Sequence, residues 1–492
     1  MAKAMLKDES AVKLIEEFEK NPNAFGITLN QEAYFFSSGI YYGLLLPVND
    51  KKQVKDTFLR FKIADEKSIL SEKGVYSFAP DKTLNIAWNN NKLIVLLQYG
   101  TGEDKAILSA QTLLTQNKDA SILSNKNFNK FMKDKKDISS YVSPQFYAEL
   151  SNTLERSGNK FTSGGIPSEE IENSLKYIEE EFKGVSLAMN TSFENGKIEV
   201  NSHYYFETPD AEAKFKKLVH ETTGTLTDKY LQHISSSPII SFATNLKGGG
   251  YYSVLSRFGI LKSIESDLTS QGINLKSLFE SVQGNVVFSL DGLTLTPRSK
   301  NISEMDAMLA LEDYSPKTNM KFSLFAELAP NNHITKFIDS LVMKQPEKVV
   351  SKTGKGQYSI KNNNFNGYFG VENNTFYLTT EPELLNSIGK ENEKSTYSDR
   401  VKDKNLYLYG NFDPLKQYAR AYYDQHSNES NAEYKTFVNE GLSLVESIEG
   451  YSKPDLTNEI RVNFTDKKAN SLASLFRYID SVLTKTGAQL GL

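Results

Sequence analysis

Three consecutive glycines follow an apolar stretch and a lysine in NLKGGGYYS, Asn245 to Ser253, and no other segment comes as near to a chemical site. Glycines where a strand meets a helix let backbone amides approach a phosphate or carboxylate, and Lys247 would supply the charge. Lys247, Gly248, Gly249, Gly250, Tyr251 and Tyr252 are therefore the candidate contacts for a ligand or partner. The spacing is neither GxGxxG nor a P-loop, and no acidic residue stands where a ribose would be read. A connection that needs positive φ accounts for the glycines more simply, and it is the preferred reading.

Other chemistries fare worse. The five histidines, His203, His220, His233, His333 and His426, lie far apart, and none has a second histidine at the spacing of a metal site. No GxSxG elbow marks a serine nucleophile, and the adjacent Glu179 and Glu180 would not face one another on a helix. No catalytic residue, metal ligand or cofactor is assigned. Tyr251 with Tyr252, Tyr407 with Tyr409, and Tyr418 with Tyr422 and Tyr423 offer a sugar-stacking face or a partner surface. The ordinary alternative is that these rings pack inward with their hydroxyls at the rim.

The elements that would hold these residues recur along the chain. In Tyr41 to Phe61 an apolar run, Tyr41 to Val48, suits a buried strand; Asn49 or Asp50 then caps a helix with Val54, Phe58 and Phe61 on one side. Relatives of this unit stand at Tyr204 to His220, Phe322 to Val342 and Ile460 to Leu483. After the first come strand signals at Gly74 to Phe78, Leu84 to Trp88 and Leu93 to Leu97, the last two joined by asparagines that tolerate positive φ. A helix over Glu103 to Leu114 and a strand over Ile138 to Val142 follow. The same order returns later. Phe322 to Leu328 is a strand, Pro330 opens a helix, and strands are expected at Gln357 to Ile360, Phe365 to Val371 and Thr375 to Thr379. A helix over Pro382 to Ile388 and a strand over Leu406 to Phe412 complete the copy, with Asn373 and Asn374 in the place of Asn90 and Asn91.

Between the copies, Val185 to Phe193 and Lys197 to Phe206 alternate as a hairpin, after which Thr208 and Pro209 start a helix. The chain end repeats this piece, with Thr465 and Asp466 as the cap. The fold expected is α+β and internally duplicated, with largely antiparallel or mixed sheets and helices packed on one face. Three parts are expected: an α+β repeat over 1–155, a hairpin-helix region with the glycine-rich connection over 156–300, and a second repeat ending in a hairpin-helix over 301–492. Linkers are placed at Arg156 to Ser168 and Leu293 to Ser303.

Composition narrows the partners. The 492 residues carry 57 Lys and Arg against 61 Asp and Glu, a net charge of −4, which argues against nucleic acid. There is no cysteine, so disulfides and thiolate chemistry are absent, and an exported protein that avoids free thiols fits the pattern. No apolar run approaches the ~20 residues of a membrane helix. The first twenty residues lack the apolar core of a signal peptide and read as a short amphipathic helix with Val12, Leu14, Ile15 and Phe18 on one side.

Four segments carry a resemblance: NIAWNNNKLIVLL, KDISSYVS, PIISFATNLKGGGYY and ESVQGNVVFSLDG. With them the chain resembles, over nearly its whole length, an uncharacterised family of exported Bacteroidetes lipoproteins, a domain of unknown function. The resemblance implies a signal peptide and a lipidated cysteine upstream, an envelope location, and no catalytic residues. This chain departs in lacking the signal, the cysteine and a first strand before the N-terminal helix. The expectation is an extracytoplasmic envelope protein, periplasmic or at the outer membrane, with a non-catalytic binding or scaffold role and an envelope protein or glycan as partner. No transmembrane segment is expected, and membrane association would come only from the upstream anchor. A lipid or lipoprotein carrier with an apolar cavity is the alternative, and a hydrolase using the glycine-rich loop the second.

Overall fold

The structure, a computed structural model, describes residues 17, 20–28, 31–38, 41–98, 109–146, 149, 168–259, 261–270, 272–296, 317–343, 349–362, 365–388, 395–425 and 432–486. The expected N-terminal helix stripe, most of both expected linkers, His426 and the start of the helix expected from Glu103 lie outside these residues. The chain forms two compact units, one within 1–133, 144–160 and 487–492, the other within 134–143 and 161–486.

In the first unit, β1 (Tyr34–Ser38), β2 (Tyr41–Pro47), α1 (Lys51–Arg60), β3 (Leu70–Glu72), β4 (Val75–Phe78), β5 (Leu84–Trp88) and β6 (Lys92–Gln98) precede α2 (Ala110–Thr115) and α3 (Lys126–Phe131). The six strands form one antiparallel sheet in the order β1-β2-β6-β5-β4-β3. Asp50 starts α1 by accepting the Lys52 and Gln53 amides at 2.8 and 3.2 Å. Phe58 then meets Phe78 and Trp88 edge-on at 5.2 and 5.3 Å. Trp88 is fully buried, with its indole N–H on the Lys51 carbonyl. Burying each such ring contributes roughly 1.5–3 kcal/mol against about 1 for the cap, so the apolar stripe holds α1 and Asp50 sets where it begins.

The second unit contains β7 (Ile138–Val142), α4 (Ser168–Glu181), β8 (Val185–Glu194), β9 (Lys197–Phe206), α5 (Pro209–Thr222), β10 (Ile240–Lys247), α6 (Gly248–Arg257), α7 (Lys262–Ser270), α8 (Leu275–Ser281) and β11 (Val282–Thr296). It continues with β12 (Lys317–Leu328), α9 (Ile334–Val342), β13 (Val350–Gly354), β14 (Gln357–Asn362), β15 (Phe365–Glu372), β16 (Thr375–Thr379), α10 (Ser398–Val401) and β17 (Leu406–Asn411). The last elements are α11 (Phe412–Gln425), α12 (Ala432–Leu444), β18 (Val445–Ser452), β19 (Asn458–Phe464) and α13 (Ser471–Thr486). Thirteen strands form one antiparallel sheet, β13-β14-β15-β16-β12-β11-β10-β17-β18-β19-β9-β8-β7.

The duplication extends to strand order and register. The succession β1-β2-β6-β5-β4-β3 recurs as β11-β12-β16-β15-β14-β13, and α1 and α9 follow the second strand of each set. Phe35, Leu44 and Val95 stand in register across β1, β2 and β6, as Phe288, Leu324 and Leu378 do across β11, β12 and β16. The ring pairs Phe35–Tyr42 and Phe288–Phe322 both stand 6.3 Å apart. Further along, β7-β8-β9 corresponds to β17-β18-β19, and the two pieces meet where β9 pairs antiparallel with β19. Phe206 and Phe464 end these strands; taken as equivalent, they make the observed pairs Ser202–Asn458 and Val200–Ile460 interchange, so the junction is a local dyad with Asn201 and Glu459 on its axis.

Several local expectations are corrected. Asn90 and Asn91 do not adopt positive φ: the Asn89 carboxamide closes the turn by accepting the Asn91 and Lys92 amides, whereas Asn373 and Asn374 are left-handed. Pro330 lies in a turn and α9 begins at Ile334. Pro382–Ser387 is a 3-10 helix. Asp466 caps only a turn, through Lys468 and Ala469, while Asn470 accepts the Leu472 and Ala473 amides that open α13.

Candidate binding face at the repeat junction

Side chains of a strand alternate between the faces of its sheet, so register alone shows which residues converge. Across β16, β12, β11, β10 and β17 the buried row Tyr377, Phe325, Val287, Ala243 and Tyr407 is in register. It is covered by Tyr230, Leu231, Ile234, Ile388, Tyr397 and Val401, which with it make the largest core of the unit. Two residues away on the same face runs a second buried row, Thr379, Ser323, Ser289 and Ser241.

Both rows continue past β17, and there they become charged. The apolar row passes from Tyr407 to Tyr451, Glu459 and Asn201; the hydroxyl row passes from Ser241 to Tyr409, Glu449, Arg461 and Glu199. Arg461 is the centre, its Nε donating to Glu199 at 3.0 Å and its terminal nitrogen to Glu459 at 2.8 Å. Lys197 adds a second donor to Glu199 at 2.7 Å, and the Tyr451 hydroxyl donates to the other oxygen of Glu459 at 2.6 Å. Tyr407 donates to Glu449 at 2.9 Å. At the strand ends the Lys404 ammonium stands 4.2 Å from the Tyr451 ring centroid and 5.2 Å from that of Tyr407. Glu199 and Glu459 keep 17% of their side-chain surface and Arg461 keeps 36%, so the cluster is half-buried and its upper edge is reachable.

This environment sets protonation. The Lys197 hydrogen bond holds the Glu199 carboxyl below its usual range, with Arg461 acting in the same direction against the cost of burial. Burial, then the Glu459 carboxylate, pushes the Tyr451 phenol up to about 12. Burial lowers Lys404. At neutral pH the Glu199 carboxylate is therefore ionised and the Tyr451 phenol intact, and both shifts run away from the neutral range in which a general acid or base works best. What remains is a rigid array of paired charges and aromatic edges, suited to polar recognition at several points.

The glycine-rich segment lies elsewhere in the unit. Gly248, Gly249 and Gly250 form the first turn of α6, and none has positive φ, which corrects the preferred explanation of the run. Close approach is the reason instead: a methyl on Gly248 would overlap the Phe279 carbonyl oxygen, and one on Gly250 the Glu221 carbonyl oxygen. Lys247 donates its ammonium to the His220 carbonyl at 2.6 Å, closing the C-terminal end of α5. The Tyr252 hydroxyl bonds Glu265 at 2.5 Å, and burial raises the Tyr251 phenol. The six candidate residues thus come together as a junction between α5, α6 and α8. Of the other tyrosines, Tyr407 and Tyr409 enter the charged face, whereas Tyr418 bonds Thr318 and stacks on Tyr422 at 6.3 Å.

Among the described residues no cluster of His, Asp and Glu could hold a metal ion. His233 is buried and stacked 4.3 Å from Phe325, and His203 is exposed at the edge of the charged face. The charges of that face were missed because β9, β18 and β19 converge only through register. The signal available was polar residues at alternate positions, Lys197, Glu199, Asn201 and His203 in one strand and Glu459, Arg461 and Asn463 in another.

With the geometry in place, comparison shows that the chain belongs to the family described as Domain of unknown function (DUF4836), which matches residues 2–472. Comparison with curated proteins found no match. No described helix is long and apolar enough to cross a membrane.

Proposed function

We propose that this member of a family of unknown function is a non-catalytic binding or scaffold protein of the Bacteroidetes cell envelope, associated with a membrane only if an upstream lipid anchor is present. Its partner is an envelope glycan or protein gripped by the charged face. The observation that carries this reading is the Arg461 cluster, which holds carboxylates, a phenol, a guanidinium and an ammonium group of two repeats at one junction, paired with one another. The envelope location is supported by the absence of cysteine and by the family resemblance.

Two features favour binding over the alternatives. Carbonyl oxygens surround Gly248 and Gly250, and Lys247 is engaged by His220, so the segment favours a structural joint over the anion hole of a hydrolase. A lipid carrier needs an enclosed apolar cavity. The cleft at the end of α5 measures about 130 Å³ and has Lys216, His220, Thr223 and Asn405 in its wall, and a larger hollow lined by Asp65, Glu66, Lys67 and Ser68 is open to solvent. Passing solubilised envelope over the immobilised protein should retain a stoichiometric partner. Native mass spectrometry showing a co-purified lipid instead would favour the carrier.

A further inference from the structure

At one end of the charged face a short segment carries cations that no carboxylate pairs. In YSDRVKDKN, residues 397–405, Tyr397 and Val401 are 2% and 1% exposed and belong to the largest core of the unit, which fixes α10 and the turn after it. The backbone turns left-handed at Asp403, and the Lys404 ammonium closes on the Arg400 carbonyl. Arg400 is exposed and Lys404 half-buried.

Both cations stand on tyrosine rings. The Arg400 guanidinium is 5.2 Å from the Tyr397 centroid and 5.6 Å from that of Tyr409. Lys404 lies against Tyr407 and Tyr451, and Lys453 adds a third cation 5.5 Å from the Tyr451 centroid. Among the described residues none of the three is within ion-pair distance of a carboxylate, Asp399 and Asp403 of the same segment included. Asp455, two residues from Lys453, accepts the Thr457 amide at 3.0 Å. Burial lowers Lys404, and Lys453 and Arg400 act in the same direction against Glu449 and Glu459. An oxyanion among the three would remove their mutual repulsion, and the guanidinium offers it a planar fork.

The neighbouring carboxylates limit the class of ligand. Glu449 uses one oxygen for Tyr407, and Glu199 uses one for both Lys197 and Arg461, so the second oxygen of each has no partner among the described residues. A uniformly anionic surface, such as a lipid bilayer, would be repelled by these groups, whereas sugar hydroxyls would donate to them. Glu449 in β18 and Glu199 in β9 are two strand spacings apart, about 10 Å, a span that suits an oligosaccharide better than a single small anion.

We propose that Arg400, Lys404 and Lys453 form the anion subsite of the charged face and that its ligand is an acidic saccharide. Its carboxylate or phosphate group lies among the three cations, and its hydroxyls donate to Glu449 and Glu199. This rests on the reading of that face as a binding surface and narrows the partner to one glycan chemistry.

The test titrates the whole protein with oligogalacturonate, its methyl ester, a phosphorylated mannan, polyglutamate and phosphatidylglycerol vesicles. Saturable binding of oligogalacturonate or of the phosphorylated mannan is expected, and the tighter of the two identifies the anion. Binding should weaken ~10-fold or more when Arg400→Gln and Lys404→Gln are combined, and measurably in Arg400→Gln alone, whose exposed side chain leaves the fold intact; circular dichroism checks both variants. The methyl ester should not bind. Binding of neither acidic saccharide up to ~1 mM, equal binding by the folded double variant, or equal binding of the methyl ester would each overturn the inference. Tighter binding of polyglutamate or of the vesicles would overturn it too, since the ligand would then be a protein or a membrane. If Arg461→Glu loses a partner from solubilised envelope and the double variant keeps it, the inference falls and the reading of the face stands; if neither variant loses a partner, both fall.

Discussion

Gly248, Gly249 and Gly250 are one residue type under two constraints. At Gly249 a methyl would stand 3.4 Å from the Glu280 side chain, an ordinary contact, while at its neighbours it would strike backbone oxygens. Gly249→Ala is expected to leave stability unchanged or to raise it by up to about 1 kcal/mol through helix propensity. Gly248→Ala and Gly250→Ala should each cost about 2 kcal/mol or more by overpacking, measured by urea denaturation. His233 gives a pH signature. Burial holds it at about 4 in the fold against 6.5 unperturbed. Between these values the unfolded chain binds the extra proton, so this contribution is complete above pH 6.5 and is lost as pH falls toward 4. The loss amounts to about 3 kcal/mol, and His233→Phe, which keeps the ring on Phe325, should flatten the stability profile across that window. Neither constraint was legible beforehand, because residue type does not reveal what packs against it.

At the scale of elements the sequence was more informative, since strand alternation and helix stripes are local. β2 with α1, the β8–β9 hairpin with α5, and β14 to β16 stand close to where periodicity places them. Helix starts were less legible, because several capping residues compete and only tertiary contacts choose among them. At α1 the sequence left Asn49 or Asp50, and Asp50 is the cap; at α13 the first acid in the segment, Asp466, belongs to a turn and Asn470 does the capping. Asn470→Ala should therefore lower stability by about 1 kcal/mol. Its carboxamide also donates to the Phe193 carbonyl at 2.7 Å, so thermal melts should show the loss together with loosening of the β8–β9 hairpin tip in hydrogen exchange.

At the scale of the molecule, duplication was visible from the order of strand and turn signals, and its consequence was not. The sequence contains two copies; the register shows that their ends meet about a dyad, where polar alternation in β9 and β19 becomes one charged face. That convergence joins residues 262 positions apart in the chain, beyond the reach of local pattern. Tyr407 and Tyr409 were noticed, and the Arg461 cluster beside them was not.

The decisive measurement is how much solubilised envelope material is retained by the wild type, by Arg461→Glu and, as a control in the first unit, by Phe35→Lys, with circular dichroism to check that each variant is folded. Retention of a stoichiometric partner at the charged face should fall ~10-fold or more in Arg461→Glu and persist in Phe35→Lys. Equal retention of that partner by folded Arg461→Glu, or its chemical conversion by the wild type, would contradict the claim.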